Sequence, residues 1–211
     1  NVTGGAIGLF GRPFSSQSVS TLSELFSHVS ARTESFQFKG LLTTGAILSR
    51  VNAGWAGDVS VLGASARVEH LTINELTCEL IEATLECRVD EQPGQVRFSV
   101  GPGNRLEGLT IGGYPVRVVL KPEFSTTHPF TQMEATLTES LVSSIECGYP
   151  GISITGNTLA VPSRAKLTFF ELKASQTGAT FLALRIGTPS GDICCCELQA
   201  TPALQSAAAM E

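Results

Sequence analysis

Five apolar side chains at every second position, Ile81, Ala83, Leu85, Cys87 and Val89, interleave with Glu82, Thr84, Glu86 and Arg88. Successive side chains of a strand point to opposite faces, so this run reads as a strand with one face in a core and one in water. On a helix the same residues would be scattered around the axis. The pattern returns in Val96-Arg-Phe98-Ser-Val100 after the turn residues Glu91-Gln-Pro-Gly94, which predicts a hairpin between the two runs. Val116, Val118 and Leu120 repeat it after Gly112-Gly113. Near the end, Leu167–Leu172, Thr180–Ile186 and Ile193–Leu198 read as three more strands, the last two paired across the turn Gly187-Thr-Pro-Ser-Gly191.

About eight to ten strands are expected, separated by Gly- and Pro-rich turns, with no alternating helices to cover a parallel sheet. The fold class is therefore all-β, an antiparallel sandwich or barrel. A chain of 211 residues suits one large β domain or two small ones. No internal repeat or linker divides it, and Ala203–Glu211 is poor in large side chains and reads as a loose tail. Two segments carry helical signals. Thr21 and Glu24 have capping-box spacing ahead of Leu22, Leu25, Phe26 and Val29 on one helical face, predicting a short helix over 21–29. Residues 133–146 fit a helix, through Met133, Leu137, Leu141 and Ile145, or an edge strand, through their Thr and Ser content.

Trp55 is the only tryptophan, flanked by Gly54 and Gly57. A single large aromatic usually marks one fixed seat, so it is expected to be a buried anchor that sets strand register. The segment Gly63-Ala-Ser-Ala-Arg67 falls short of a nucleophile elbow because it ends in Arg, and reads as a turn.

Charged residues are 16% of the chain and the hydrophobic set 42%, so Ser, Thr and Gly share the surface with ions. A net charge of −5 without a basic stripe argues against a polyanion-binding domain, which needs clustered cations. Six cysteines lack Cys-x-x-Cys pairs with a His partner, so no zinc site is expected, and Cys194-Cys195-Cys196 alternate across a strand as free thiols. No stretch approaches the ~20 apolar residues of a membrane span, and the start lacks a signal-peptide layout, so the chain reads as soluble.

Enzymatic chemistry has few residues to draw on. Only His28, His70 and His128 could act as an imidazole base. His70 follows Val68 on one face and reads as interfacial or partly buried. Cys147, in Ile145-Glu-Cys-Gly-Tyr149, resembles the nucleophile segment of chymotrypsin-like viral cysteine proteases. Those enzymes have Gly where this chain has Ile145, and a substrate-pocket His after the Cys, whereas no His here lies beyond 128. Glu82 and Glu86 read as a solvated face, and Gly101, Gly103 and Gly108 as turn residues. The expectation is a protein that is not an enzyme, with no catalytic, cofactor-binding or metal-binding residues and no cofactor.

The order of elements carries a resemblance. Gly11-Arg-Pro-Phe-Ser-Ser-Gln-Ser-Val-Ser-Thr-Leu-Ser-Glu-Leu25, the strand from Ser35-Phe-Gln-Phe38, Trp55-Ala-Gly57 with its β run, and Asn157-Thr-Leu-Ala-Val-Pro-Ser163 before the last strands resemble capsid proteins of picorna-like viruses. The chain is most similar to the small coat protein of the comovirus, fabavirus and nepovirus group. That resemblance implies an eight-stranded jelly-roll sandwich with one or two short helices, an N-terminal arm over 1–20, a jelly-roll domain over 21–203 and a flexible tail over 204–211. It also implies a virion protein, made in the host cytoplasm, that assembles with other coat-protein copies into an icosahedral shell around RNA. Partners would be other capsid subunits, genomic RNA through weak contacts at most, and a host receptor, with no membrane. Gln205-Ser206 would be a protease cleavage site, and Asn1 in place of Met a product of polyprotein processing. Two alternatives stand beside this reading. One is a β-sandwich binding module (a spike, adhesin or carbohydrate-binding protein) for which Tyr114 and Tyr149 are the scarce stacking material; the other is the cysteine protease.

Overall fold

The computed structural model describes residues 2–9, 12–13, 19–22, 27–90, 95–101, 103–122, 124–129, 137–162, 164–175, 178–188 and 191–201. Side chains are described from residue 28 onward, except 126–137 within these ranges. The described residues form two antiparallel sheets, of twelve and nine strands.

Two strands of 15 residues, Val59–Ile73 and Leu76–Asp90, form the spine of the larger sheet. At ~3.3 Å per residue each runs about 50 Å, long enough to pair with several shorter strands in succession. Ile47–Ala56 pairs with the first spine strand and carries Ser27–Thr33 on its other side. Gln95–Val100 pairs with the second and carries Phe124–Pro129. Farther along, Thr110–Ile111, Tyr114–Leu120 and Val142–Cys147 extend the sheet. The smaller sheet is a meander of Thr158–Val161, Ala165–Ser175, Gly178–Thr188 and Gly191–Ala200. Val2–Leu9, at the start of the segment read as an arm, pairs with Gly191–Ala200. Gly191–Ala200 also packs across both spine strands, and the core lies between the sheets.

The strands change their buried parity at one level. Leu62, Ala64, Ala66 and Val68 are buried, then Leu71 and Ile73; opposite them Cys78 gives way to Ile81, Ala83, Leu85 and Cys87. The ladder register is unchanged, passing from Glu69↔Leu80 to Leu71↔Cys78, and His70 sits at φ 49°. The smaller sheet does the same at Phe170 (φ 43°), Ala183 and Cys196 (φ 56°), which its ladders skip. Each strand spends one residue outside the ladder at the same level, so pairing survives while the inward parity inverts. A left-handed Phe is costly, of order 1–3 kcal/mol; Phe170 is fully buried, with its ring 6.2 Å from that of Phe181, and this packing offsets the strain.

Several expectations are corrected. No helix occurs among the described residues: the 21–29 segment lies in Val19–Leu22 and Ser27–Thr33, with 23–26 outside the described residues. Its helical spacing is overridden by ladder pairing, since Ser27–Thr33 lies along Ile47–Ala56 over seven residues. In the segment left open, Leu137–Ser140 and Val142–Cys147 are strands, and 133–136 lie outside the described residues. Gly63–Arg67 is no turn but the middle of Val59–Ile73. Small inward residues, Ala64 and Ala66, suit the tight core there, and Gly63 leaves room for Asn52, whose Oδ1 would lie 2.5 Å from any Cβ. His70 is exposed rather than partly buried, because the inversion turns it outward. Trp55 is 39% exposed and no core anchor. It lies two residues past Ala53, the last buried position of its strand, just ahead of the Gly57–Asp58 hairpin loop. The tail over 204–211, with Gln205-Ser206, lies outside the described residues.

Candidate functional site

At the end opposite Trp55 the sheets separate around a cavity of ≈ 310 Å³. Ile73, Leu76 and Ile111 line it from the larger sheet and Val161, Leu167 and Ile186 from the smaller. Two tight turns shape the larger sheet's wall. Asn74–Glu75 joins the spine strands, with Asn74 at φ 51°, a conformation that Asn tolerates better than most residues. Gly112–Gly113 joins Ile111 to Tyr114 with φ 56° and 82°, the backbone of a type I′ hairpin. The Gly112 N–H donates to the Glu75 carbonyl at 2.9 Å, clipping the two turns together.

Polar groups gather at the mouth. The Arg164 guanidinium pairs with the Glu75 carboxylate, joining a turn of the smaller sheet to one of the larger. Both side chains are more than half exposed, so the pair is a screened latch worth ≲ 1 kcal/mol. Beside it, Tyr149 lies against Gly112, where an added Cβ would meet the ring at 3.0 Å. Tyr149 also meets Tyr114 edge to face, with centroids 5.5 Å apart and rings at 79°. An apolar chamber of this size with a few polar groups at its rim has the composition of a small-ligand site.

The catalytic candidates are not brought together. Cys147 ends the strand Val142–Cys147, its sulfur accepting the Tyr149 N–H at 3.5 Å. His70 lies four ladder steps away in the same sheet, about 19 Å at the usual strand spacing, whereas a nucleophile and its base must approach to about 3 Å. His28 is two strands farther still, and the side chain of His128 lies outside the described residues. Glu82 and Glu86 stand on the outer face, paired with Arg105 at 3.8 Å and Arg88 at 2.7 Å.

Among the described residues all six cysteines are free. Burial pushes the Cys78 thiol up to about 11 and that of Cys87 to about 12. It raises Cys194, Cys195 and Cys196 as well, the last two fully buried. Thiols held protonated in a core are poor nucleophiles and poor metal ligands. Among the described residues no group of three or more His, Cys, Asp and Glu is arranged to hold a metal ion.

Sequence reading singled out Tyr114 and Tyr149, but not Glu75 or Arg164. Those two are 89 positions apart and meet only through folding. The local signal for Glu75 was the two-residue loop Asn74–Glu75 between apolar runs. No protein-family model, curated protein or solved structure matches the chain.

Proposed function

We propose that the chain is a structural coat-protein subunit that assembles with copies of itself and with other coat proteins into an icosahedral shell around RNA. The eight-stranded jelly roll is the finer form of this reading. One non-local pairing, Val2–Leu9 beside Gly191–Ala200, is of the kind Greek-key folds use. The observation that carries the proposal is a set of surface ion pairs that lie within the chain, on a surface with few charged residues. Arg32–Glu34, Arg67–Glu69, Arg88–Glu86, Arg117–Glu146 and Lys173–Glu171 pair within the chain. Faces whose charges are already compensated bring little long-range repulsion when copies meet, and Ser, Thr and Gly between them can be buried against a neighbour at small cost. RNA and a receptor would be met through few contacts. Sedimentation and electron microscopy, on the chain with its partner coat proteins, test this: large closed particles are expected, and a persistent monomer in every combination overturns it.

A second reading, a β-sandwich binding module, is favoured by the cavity and by the Tyr114–Tyr149 pair, in which Tyr149 lies against Gly112, next to the cavity-lining Ile111. Tyr114 is 43% exposed, which leaves part of its aromatic surface open to a ligand. This reading expects a stable monomer whose glycan or small-molecule binding is lost in Tyr114→Ala.

A further inference from the structure

The outer face of the larger sheet holds a second concavity, of ≈ 280 Å³, between Leu76–Asp90, Gln95–Val100 and Phe124–Pro129. Glu86, Arg88, Arg97, Ser99, Phe124 and Ser125 line it. Two arginines face each other across the ladder there, since Arg97 pairs in register with Arg88. Directly opposed like charges are unfavourable in a sheet. Arg88 is compensated, its Nε donating to Glu86 at 2.7 Å, whereas Arg97 donates to the neutral hydroxyl of Ser125 at 3.1 Å. The Arg97 end is thus a planar fork beside a hydroxyl, the arrangement that takes a carboxylate or sulfate. Glu86 lies in the same wall and repels a bare oxyanion, so the rest of a ligand must donate to it. The Arg88–Glu86 pair presents a donor beside an acceptor, which matches neighbouring hydroxyls that both give and accept hydrogen bonds. The volume lies just under the ~300–1,000 Å³ of drug-sized pockets, enough for one substituted ring.

We propose that this pocket is a subsite for an acidic sugar residue, its anionic group on Arg97 and Ser125 and its hydroxyls on the Arg88–Glu86 pair. The site goes beyond the coat-subunit reading and does not depend on it: a chain that assembles yet binds nothing here leaves that reading standing.

Calorimetric or NMR titration of the full chain at constant ionic strength tests the assignment with glucuronate, glucose 6-sulfate, glucose and inorganic sulfate. Saturable binding of at least one acidic sugar is expected, at least ~10-fold tighter than glucose or inorganic sulfate. Arg97→Gln weakens it ~10-fold or more, and Glu86→Gln weakens the acidic sugar while strengthening inorganic sulfate. Arg105→Gln, on the same face but paired with Glu82, leaves both unchanged. Should Arg97→Gln fail to fold, Ser99→Asp places a repelling charge in the pocket and must abolish binding. Equal binding of inorganic sulfate and acidic sugar, equal binding of glucose, or no saturable binding at all overturns the proposal.

Discussion

The two hairpins that end the strand Val59–Ile73 differ in what lies across from them. At Asn74–Glu75 burial continues up to the turn, through Ile73 and Leu76, because Val161, Leu167 and Ile186 of the smaller sheet stand opposite across the cavity, and the Arg164–Glu75 pair spans the two sheets at its rim. At Gly57–Asp58 burial stops at Ala53, and the largest side chain in the protein stands 39% exposed. Side-chain size did not decide which end is sealed. The reach of the opposing sheet did, and modest residues under cover contribute more to the core than a tryptophan beyond its edge.

The covered end should therefore answer mutation most strongly. Leu167 is fully buried beside an existing cavity, so Leu167→Ala removes contacts that its neighbours cannot replace. A loss of roughly 2–5 kcal/mol is expected in urea denaturation; a loss below 1 would mean that the cavity collapses freely and the cover is loose. Gly112→Ala is expected to cost about 1–3 kcal/mol, because it combines a positive φ with the Tyr149 ring 3.0 Å from the new Cβ. If the Tyr149 ring swings aside at no cost, its contact does not hold the Gly112–Gly113 turn, and the contrast between the ends rests on the core alone.

How much of this was legible follows from how local each signal is. Strands over 81–89, 96–100, 116–120, 167–172, 180–186 and 193–198 were readable because period two is written in neighbouring residues. The parity inversion was missed: Cys194-Cys195-Cys196 was expected to alternate across its strand, whereas Cys195 and Cys196 are both buried, and this doubled apolar pair, like Phe169-Phe170, marks where the ladders skip a residue. Gly63–Arg67 misled because small residues are shared by turns and by crowded strand centres. The 21–29 segment misled because helical spacing says nothing of a ladder partner some 20 residues downstream. At the candidate site the tyrosines were visible as rare residues, while Glu75 and Arg164 become a pair only when two sheets meet.

Alkaline pH tests whether the core between the two ends holds together as one unit. The unfolded Cys87 thiol ionises near 9.0, while the folded one keeps its proton to about 12. Below pH 9 both states hold the proton and this group contributes no slope. Above it the unfolded state binds fewer protons, so stability falls with rising pH, by ~1.4 kcal/mol per pH unit for each such thiol, until the folded thiol titrates in turn. Cys78 adds the same slope up to about 11. Urea midpoints from pH 8 to 11 should decline accordingly, with Cys87→Ala flattening the decline by one thiol's share. An unchanged slope in that variant would place water beside Cys87 and break the picture of a dry core.

The smallest effect is expected at the largest side chain. A buried tryptophan cut to alanine costs roughly 3–5 kcal/mol through lost transfer energy and an unfilled cavity. Trp55 leaves no such cavity, because its indole stands beyond Ala53 with solvent on one side. Its backbone partner Ser60 and the Gly57–Asp58 loop, with Gly57 at φ 65°, hold the hairpin without it. Trp55→Ala should cost about 1 kcal/mol and leave the register of Ile47–Ala56 against Val59–Ile73 unchanged, measured by urea denaturation and amide hydrogen exchange. A loss comparable to that of Leu167→Ala would show that this end is sealed as well, and the difference between the two hairpins would disappear.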